Sequence, residues 1–173
     1  MSLLFPAEKF KENKELIICD SEEAKLAHRE LFSFSNDAYI KTDGTVNIFD
    51  AVSGVISACN SSPVCPGKIH IVLNWPNLLQ ISLWKAAKPL TGDVFTLLRN
   101  EGIGSQELQP FKNSDINDIF PWLYYGKRFD ILKKVCHIAK RKIENNLKGN
   151  GQLIRVTCHI IAEDTKKIVA SSL

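Results

Sequence analysis

The chain has 173 residues, 45% of them hydrophobic and 24% charged, with a net charge of +3. That length suits one domain with a proper core, and the composition is that of an ordinary folded chain rather than a disordered or fibrous one. No apolar run approaches the ~18 residues of a membrane span, so nothing in the sequence points to a membrane.

The opening MSLLFPAEKFKENK has no basic region before its short apolar patch, which argues against a secretory leader. The stretch 9–15 is a charged lead-in. Leu16–Cys19 reads as a short buried strand. Asp20 then suits a helix N-cap, with Glu23 completing a capping box, and a helix over Ser21–Phe34 would bury Ala24, Leu26, Ala27, Leu31 and Phe34. Ser35-Asn36-Asp37 ends it. Ala38–Lys41 is a short strand candidate before the turn Thr42-Asp43-Gly44-Thr45. Asn47 caps a helix running to about Cys59, and 60–68 is loop by composition.

Ile69–Leu73 is an almost wholly apolar strand around which the rest of the chain is organised. A helix over Asn77–Lys88 follows, stopped by Pro89, and Asp93–Leu98 is a further strand candidate. The stretch 99–117, rich in Gly, Ser, Asn and Gln, reads as an exposed insertion in a single α/β domain spanning 1–173. Asp118–Tyr125 is aromatic and expected on the core.

The helix Arg128–Leu147 gathers Phe129, Leu132, Val135, Cys136, Ala139, Ile143 and Leu147 on one side. Lys133, His137, Lys140, Arg141, Glu144 and Lys148 fall on the other. Gly149-Asn150-Gly151 ends it. The strand Gln152–Ile161 buries Ile154, Val156, Cys158 and Ile160, with Arg155, Thr157 and His159 facing away. A turn at 163–166 leads to a last strand, Lys167–Ala170. Strands alternating with helices predict an α/β, Rossmann-like layered fold with a mainly parallel sheet flanked by helices.

Candidate chemistry is sparse. A dinucleotide site needs glycines where the first strand meets its helix; here that junction reads Cys19-Asp20-Ser21-Glu22-Glu23, whose carboxylates repel phosphate. Gly102-Ile103-Gly104 lacks the third glycine. No cofactor is therefore expected. Tyr39–Asp50 echoes a calcium loop, but Tyr39 and Lys41 at its first and third positions are the wrong ligands. The doublets Cys136-His137 and Cys158-His159 cannot chelate through both side chains, since neighbours on a strand or helix point apart. They read as buried cysteines beside part-exposed histidines, and no metal ligand is assigned. No nucleophile motif is present, so no catalytic residue is assigned and the sequence favours a non-enzyme.

Five cysteines, an odd count without regular spacing, read as free thiols in a reducing, cytoplasmic setting. The segment Lys127–Lys148 holds eight Lys/Arg against Asp130 and Glu144, a surplus of six that leaves the remainder at −3. Lys133, Lys134, Lys140 and Arg141 are thus a candidate interaction face. They lack the interleaved aromatics that stack on bases, which argues against nucleic acid.

The segments LIICDSEEAKLAHREL, NDAYIKTDGTVNIFDAVSGVI and KIHIVLNW resemble the opening of the structural ketoreductase subdomain of modular polyketide synthases. That subdomain is the truncated, cofactor-free half of the ketoreductase region. FDILKKVCHIAKRK and QLIRVTCHI would be its next helix and strand. The resemblance covers about two-thirds of the chain and leaves Trp84–Tyr124 unmatched. In the family, the partner subdomain carries the glycine fingerprint and a Tyr-x-x-x-Lys pair. Here Tyr124 is followed at that spacing by Arg128 and Tyr125 by Phe129, so no catalytic residue carries over.

The resemblance implies a non-catalytic domain, part of or related to a larger synthase, that supports or binds another protein domain or a second copy of itself. Two other readings stand beside it. One is a small-molecule-binding α/β enzyme with its site at the strand carboxyl ends. The other is a nucleic-acid-binding module using the basic helix.

Overall fold

The computed structural model describes residue 10 and residues 14–42, 44–148 and 151–173. The expected lead-in and leader reading at 1–9 and 11–13, Asp43 of the first turn, and Gly149-Asn150 of the helix stop lie outside the described residues.

Five strands form one sheet: β1 (Glu15–Cys19), β2 (Tyr39–Lys41), β3 (Lys68–Leu73), β4 (Arg155–Ala162) and β5 (Lys167–Ser171). Their order is β2-β1-β3-β4-β5. β1 pairs in parallel with β2 and β3, β3 pairs in parallel with β4, and β5 returns antiparallel on β4. The fold is therefore α/β with a mixed, mostly parallel sheet, and the three central strands are the neighbours that their apolar runs predict.

Strand alternation gives the sheet two different faces. Leu16, Ile18, Ile69, Ile71, Leu73, Val156, Cys158 and Ile160 belong to the larger core. Helices α2 (Ile48–Ser61), α3 (Trp75–Leu83) and α7 (Phe129–Asn146) pack there, α7 burying Leu132, Val135, Cys136, Ala139 and Ile143. Each fully buried Leu, Ile or Val among them contributes about 1.5–3 kcal/mol relative to exposure. On the opposite face, Ile17, Cys19, Val72 and Ile161 meet Ala24 and Ala27 of α1 (Glu22–Leu31).

Several expectations need correction. Ser21, not Asp20, caps α1: its Oγ accepts from the Ala24 N–H at 3.1 Å, while Asp20 turns toward α3. The helix stops at Leu31, and Leu26 (53% exposed) and Leu31 (62%) face outward. The buried stripe of α1 is instead Ala24, Ala27 and His28, small residues and a hydrogen-bonding ring that let the helix lie close on the sheet. Helix α3 begins at Trp75, with the Asn74 side chain as its cap, and ends at Leu83, where Trp84 in a left-handed conformation (φ 53°) stops it before Pro89 is reached.

The strand candidate Asp93–Leu98 is helix α4 (Thr91–Asn100). Val94, Leu97 and Leu98 fall on one helical face and are buried, and a short apolar run is ambiguous between the two periods. The stretch 99–117 forms helix α5 (Ser105–Leu108) and two 3₁₀ turns. Ile103, Leu108 and Ile116 anchor it in the larger core, while most of its other residues are exposed. Helix α6 (Ile119–Tyr125) buries Ile119 and Leu123 and leaves Tyr125 outward. Phe129, expected on the buried side of α7, is 41% exposed at its first turn. No helix among the described residues is long and apolar enough to cross a membrane.

Candidate functional site

Ligands of open α/β sheets bind beyond the strand carboxyl ends, near where the connections reverse direction. In this chain that point lies between β1 and β3, beside Asp20 and Asn74. Asp20 Oδ2 accepts from the Asn74 N–H at 2.7 Å and from Asn77 Nδ2 at 2.9 Å, tying the end of β1 to the start of α3. Its Oδ1 is buried with no hydrogen-bond partner among the described residues. Burial pushes the Asp20 carboxyl up, against the hydrogen bonding from Asn77, Asn74 and Ser21 that favours the anion.

Next to this junction, a cavity of about 360 Å³ opens between α3, α6 and the β4–β5 turn. Its walls are aromatic. Trp75 stands at the base of α3, with its indole N–H donated to the Ile116 carbonyl at 3.0 Å. Phe120 lies 6.0 Å from Trp75 and stacks on Tyr124 at 5.8 Å, and Tyr124 meets Tyr125 edge-on at 5.2 Å. The opposite rim carries Glu163 and Asp164. Tyr125 Oη donates to Asp164 Oδ2 at 2.7 Å, which fastens α6 to the hairpin turn. That bond holds the Asp164 carboxyl below, and the Tyr125 phenol above, their ordinary ranges. No Lys or Arg lines this cavity, so its polarity is acidic. A smaller hollow beside it shares Ile161 and Glu163 and reaches Ser21, Asn74 and Lys166.

A second constellation lies on the α1 face of the sheet. His28 of α1, His70 of β3 and His159 of β4 are all buried, with one ring nitrogen of each within 4.8 Å of the others. His28 Nε2 lies 3.2 Å from His70 Nδ1, and His159 Nε2 lies 3.4 Å from the same atom. Each outward nitrogen has its own partner: Tyr39 Oη at 2.9 Å from His28, Glu15 Oε2 at 3.0 Å from His70, and Ser171 Oγ at 2.6 Å from His159. Phe32 stacks on His28 with ring centres 4.6 Å apart, and Phe34 tilts on His70 at 5.5 Å. Burial, reinforced by the neighbouring imidazoles and Lys68, lowers His28 to about 4 and His159 to about 3. His70 is also lowered by burial, partly countered by Glu15. The rings are therefore neutral at pH 7.

The sequence placed His159 on the face away from Cys158, and the structure agrees. It does not leave that histidine part-exposed, because α1 and Phe32 cover the face. His28 and His70 were not singled out, although a histidine inside the apolar run IHIVL was a usable signal. The strand register completes it: His70 pairs with Thr157 and Val72 with His159, which sets the two rings diagonally on one face. Among the predicted interaction residues, Lys133, Lys134 and Arg141 are exposed on α7 and Lys140 is half-buried. Lys134 Nζ donates to the Glu101 carbonyl at 3.0 Å. None of the four lines the aromatic cavity.

No family model matches the chain, and no curated protein or solved structure is significantly similar to it.

Proposed function

We propose that this chain is a Rossmann-like α/β domain that binds a small organic amine at the carboxyl ends of β3 and β4. The observation that carries this reading is the pairing of an aromatic wall, Trp75, Phe120, Tyr124 and Tyr125, with a carboxylate rim at Glu163 and Asp164. Aromatic faces attract cations, by about 0.5–2 kcal/mol per contact as water is excluded. The carboxylates add charge complementarity and disfavour anions. A volume of about 360 Å³ suits a ligand of one or two rings. Nucleotides fit poorly, since Glu23 and Glu163 line the hollow at the end of β1 and would face phosphate against the single Lys166. The buried free thiols of Cys19, Cys59, Cys136 and Cys158 fit a reducing, cytoplasmic setting.

The test compares phenethylamine with its acid counterpart, phenylpropionate, by calorimetric titration. Saturable binding of the amine alone, weakened at least tenfold in Glu163→Gln, is the expected result. Equal binding of the acid, or no binding of either at millimolar concentration, would refute the reading.

A second reading keeps the domain as a non-catalytic support for another protein domain, as the resemblance to the structural ketoreductase subdomain implies. What favours it is the outward Leu26 and Leu31 on α1. A Leu31→Glu variant would then lose that association while keeping its fold.

A further inference from the structure

From the convergence of three buried imidazoles drawn from three different elements, we infer that His28, His70 and His159 form a binding site for a divalent transition-metal ion, zinc being the best match. The inference is independent of the aromatic cavity. A tetrahedral zinc ion with Zn–N bonds of about 2.0–2.1 Å holds its nitrogens about 3.3–3.4 Å apart. The two spacings to His70 Nδ1, 3.2 and 3.4 Å, bracket that requirement, and the third, between His28 and His159, lies within 4.8 Å and would close slightly around an ion.

The outer hydrogen bonds make the same case. A metal-bound imidazole donates its other N–H to a carboxylate, carbonyl or hydroxyl, which fixes the tautomer and strengthens the ligand. All three rings have such an oxygen in place: Tyr39 Oη, Glu15 Oε2 and Ser171 Oγ. The carboxylate of Glu15 fixes the proton of His70 on Nε2 and so bares Nδ1. Without an ion, the Nε2 atoms of His28 and His159 both face that single lone pair, so at best two N–H groups share it, an arrangement weaker than one donor per acceptor. With an ion, each inner nitrogen turns its own lone pair to the metal and each outer nitrogen becomes a donor. Neutral imidazoles are also the form a metal requires.

Imidazole ligands select zinc, copper, nickel or iron over calcium and magnesium, which prefer oxygen. Among the described residues no Asp, Glu or Cys joins the three nitrogens, so the fourth position falls to water or a small exogenous ligand under Phe32 and Phe34. The ion would tie α1 to β3 and β4 and stabilise the less covered face of the sheet.

The test uses the whole chain, stripped with a chelator and titrated with zinc chloride by calorimetry. One ion per chain, a dissociation constant at or below micromolar and a raised thermal midpoint are expected. His70→Gln and His159→Gln should each weaken binding at least 100-fold. His137→Gln, at the chain's remaining histidine, should leave it unchanged. X-ray absorption of the wild-type zinc complex gives a readout that survives if a variant fails to fold: a first shell of three imidazole nitrogens and one further light ligand, without sulfur. Absence of saturable zinc binding, binding that depends on His137, or a sulfur-containing shell would each overturn the inference.

Discussion

Glu15 Oε2 lies 3.0 Å from Nε2 of His70, a contact made across neighbouring strands β1 and β3. Glu15 is about one-third exposed whereas His70 is almost fully enclosed, so the carboxylate reaches inward from the edge of the core. One contact thus decides which nitrogen of the central histidine carries its proton. Glu15→Gln offers His70 an amide oxygen in place of the charged acceptor and weakens the tautomeric preference. Zinc affinity should fall by about 10–100-fold in this variant, the usual cost of losing such an outer partner. Calorimetry measures that fall, and ¹⁵N spectra of the imidazoles should show the Nδ1–H tautomer of His70 appearing.

The same cluster fixes a pH dependence for the metal-free protein. Unfolded imidazoles titrate near 6.5, whereas folded His28 is lowered to about 4 and His159 to about 3. Between those values the unfolded chain binds more protons than the folded one, so stability rises with pH. The contribution is fully present above about pH 6.5 and is lost as the pH falls toward 4 and then 3. Glu15, Tyr39, Ser171 and Lys68 are the polar groups around the rings, and Lys68 deepens the effect. The loss per ring is on the order of 3 kcal/mol. Urea denaturation in chelator at pH 7 and pH 5 should show the decline begin before most carboxylates titrate. His159→Gln should flatten it.

How much of this was legible in the sequence depends on whether one element or several elements decide the outcome. Ile69–Leu73, Leu16–Cys19 and the α7 stripe of Leu132, Val135, Cys136, Ala139 and Ile143 announce themselves, because period and burial agree within one segment. Asp93–Leu98 did not, because its run is too short to separate helix from strand. The inward face of α1 was misread for another reason. Leucine at 26 and 31 outranks histidine on any hydropathy scale, yet His28 goes in because Tyr39 and His70 satisfy its nitrogens. The aromatic cavity depends on α6 meeting the β4–β5 turn, a contact between residues far apart in the chain such as Tyr125 and Asp164.

The corrected orientation of α1 can be tested by substitution. Leu31→Ala should change stability by no more than about 0.5 kcal/mol, because the side chain is outside. Ile71→Ala, in the centre of the sheet and fully buried, should cost about 2–5 kcal/mol. Chemical denaturation of both variants distinguishes this orientation from one with Leu31 inside.

Trp75 joins the cavity to the core. Its indole is buried and donates to the Ile116 carbonyl, which anchors the 99–117 stretch. Trp75→Phe leaves that carbonyl without its donor and shortens the cavity wall. A loss of about 1–3 kcal/mol in stability is expected, together with weaker amine binding. Tyr125→Phe removes only an exposed hydrogen bond, so its stability should stay within about 1 kcal/mol of the parent.

Amine recognition at the strand carboxyl ends can be followed residue by residue in a ¹H–¹⁵N spectrum titrated with phenethylamine. Saturable shifts are expected in the Trp75 indole N–H and in the amides of Tyr124, Tyr125, Glu163 and Asp164, with Lys133 and Arg141 of α7 undisturbed. Shifts confined to α7 or to the outer surface of α1, or no saturable shift at any residue, would contradict it.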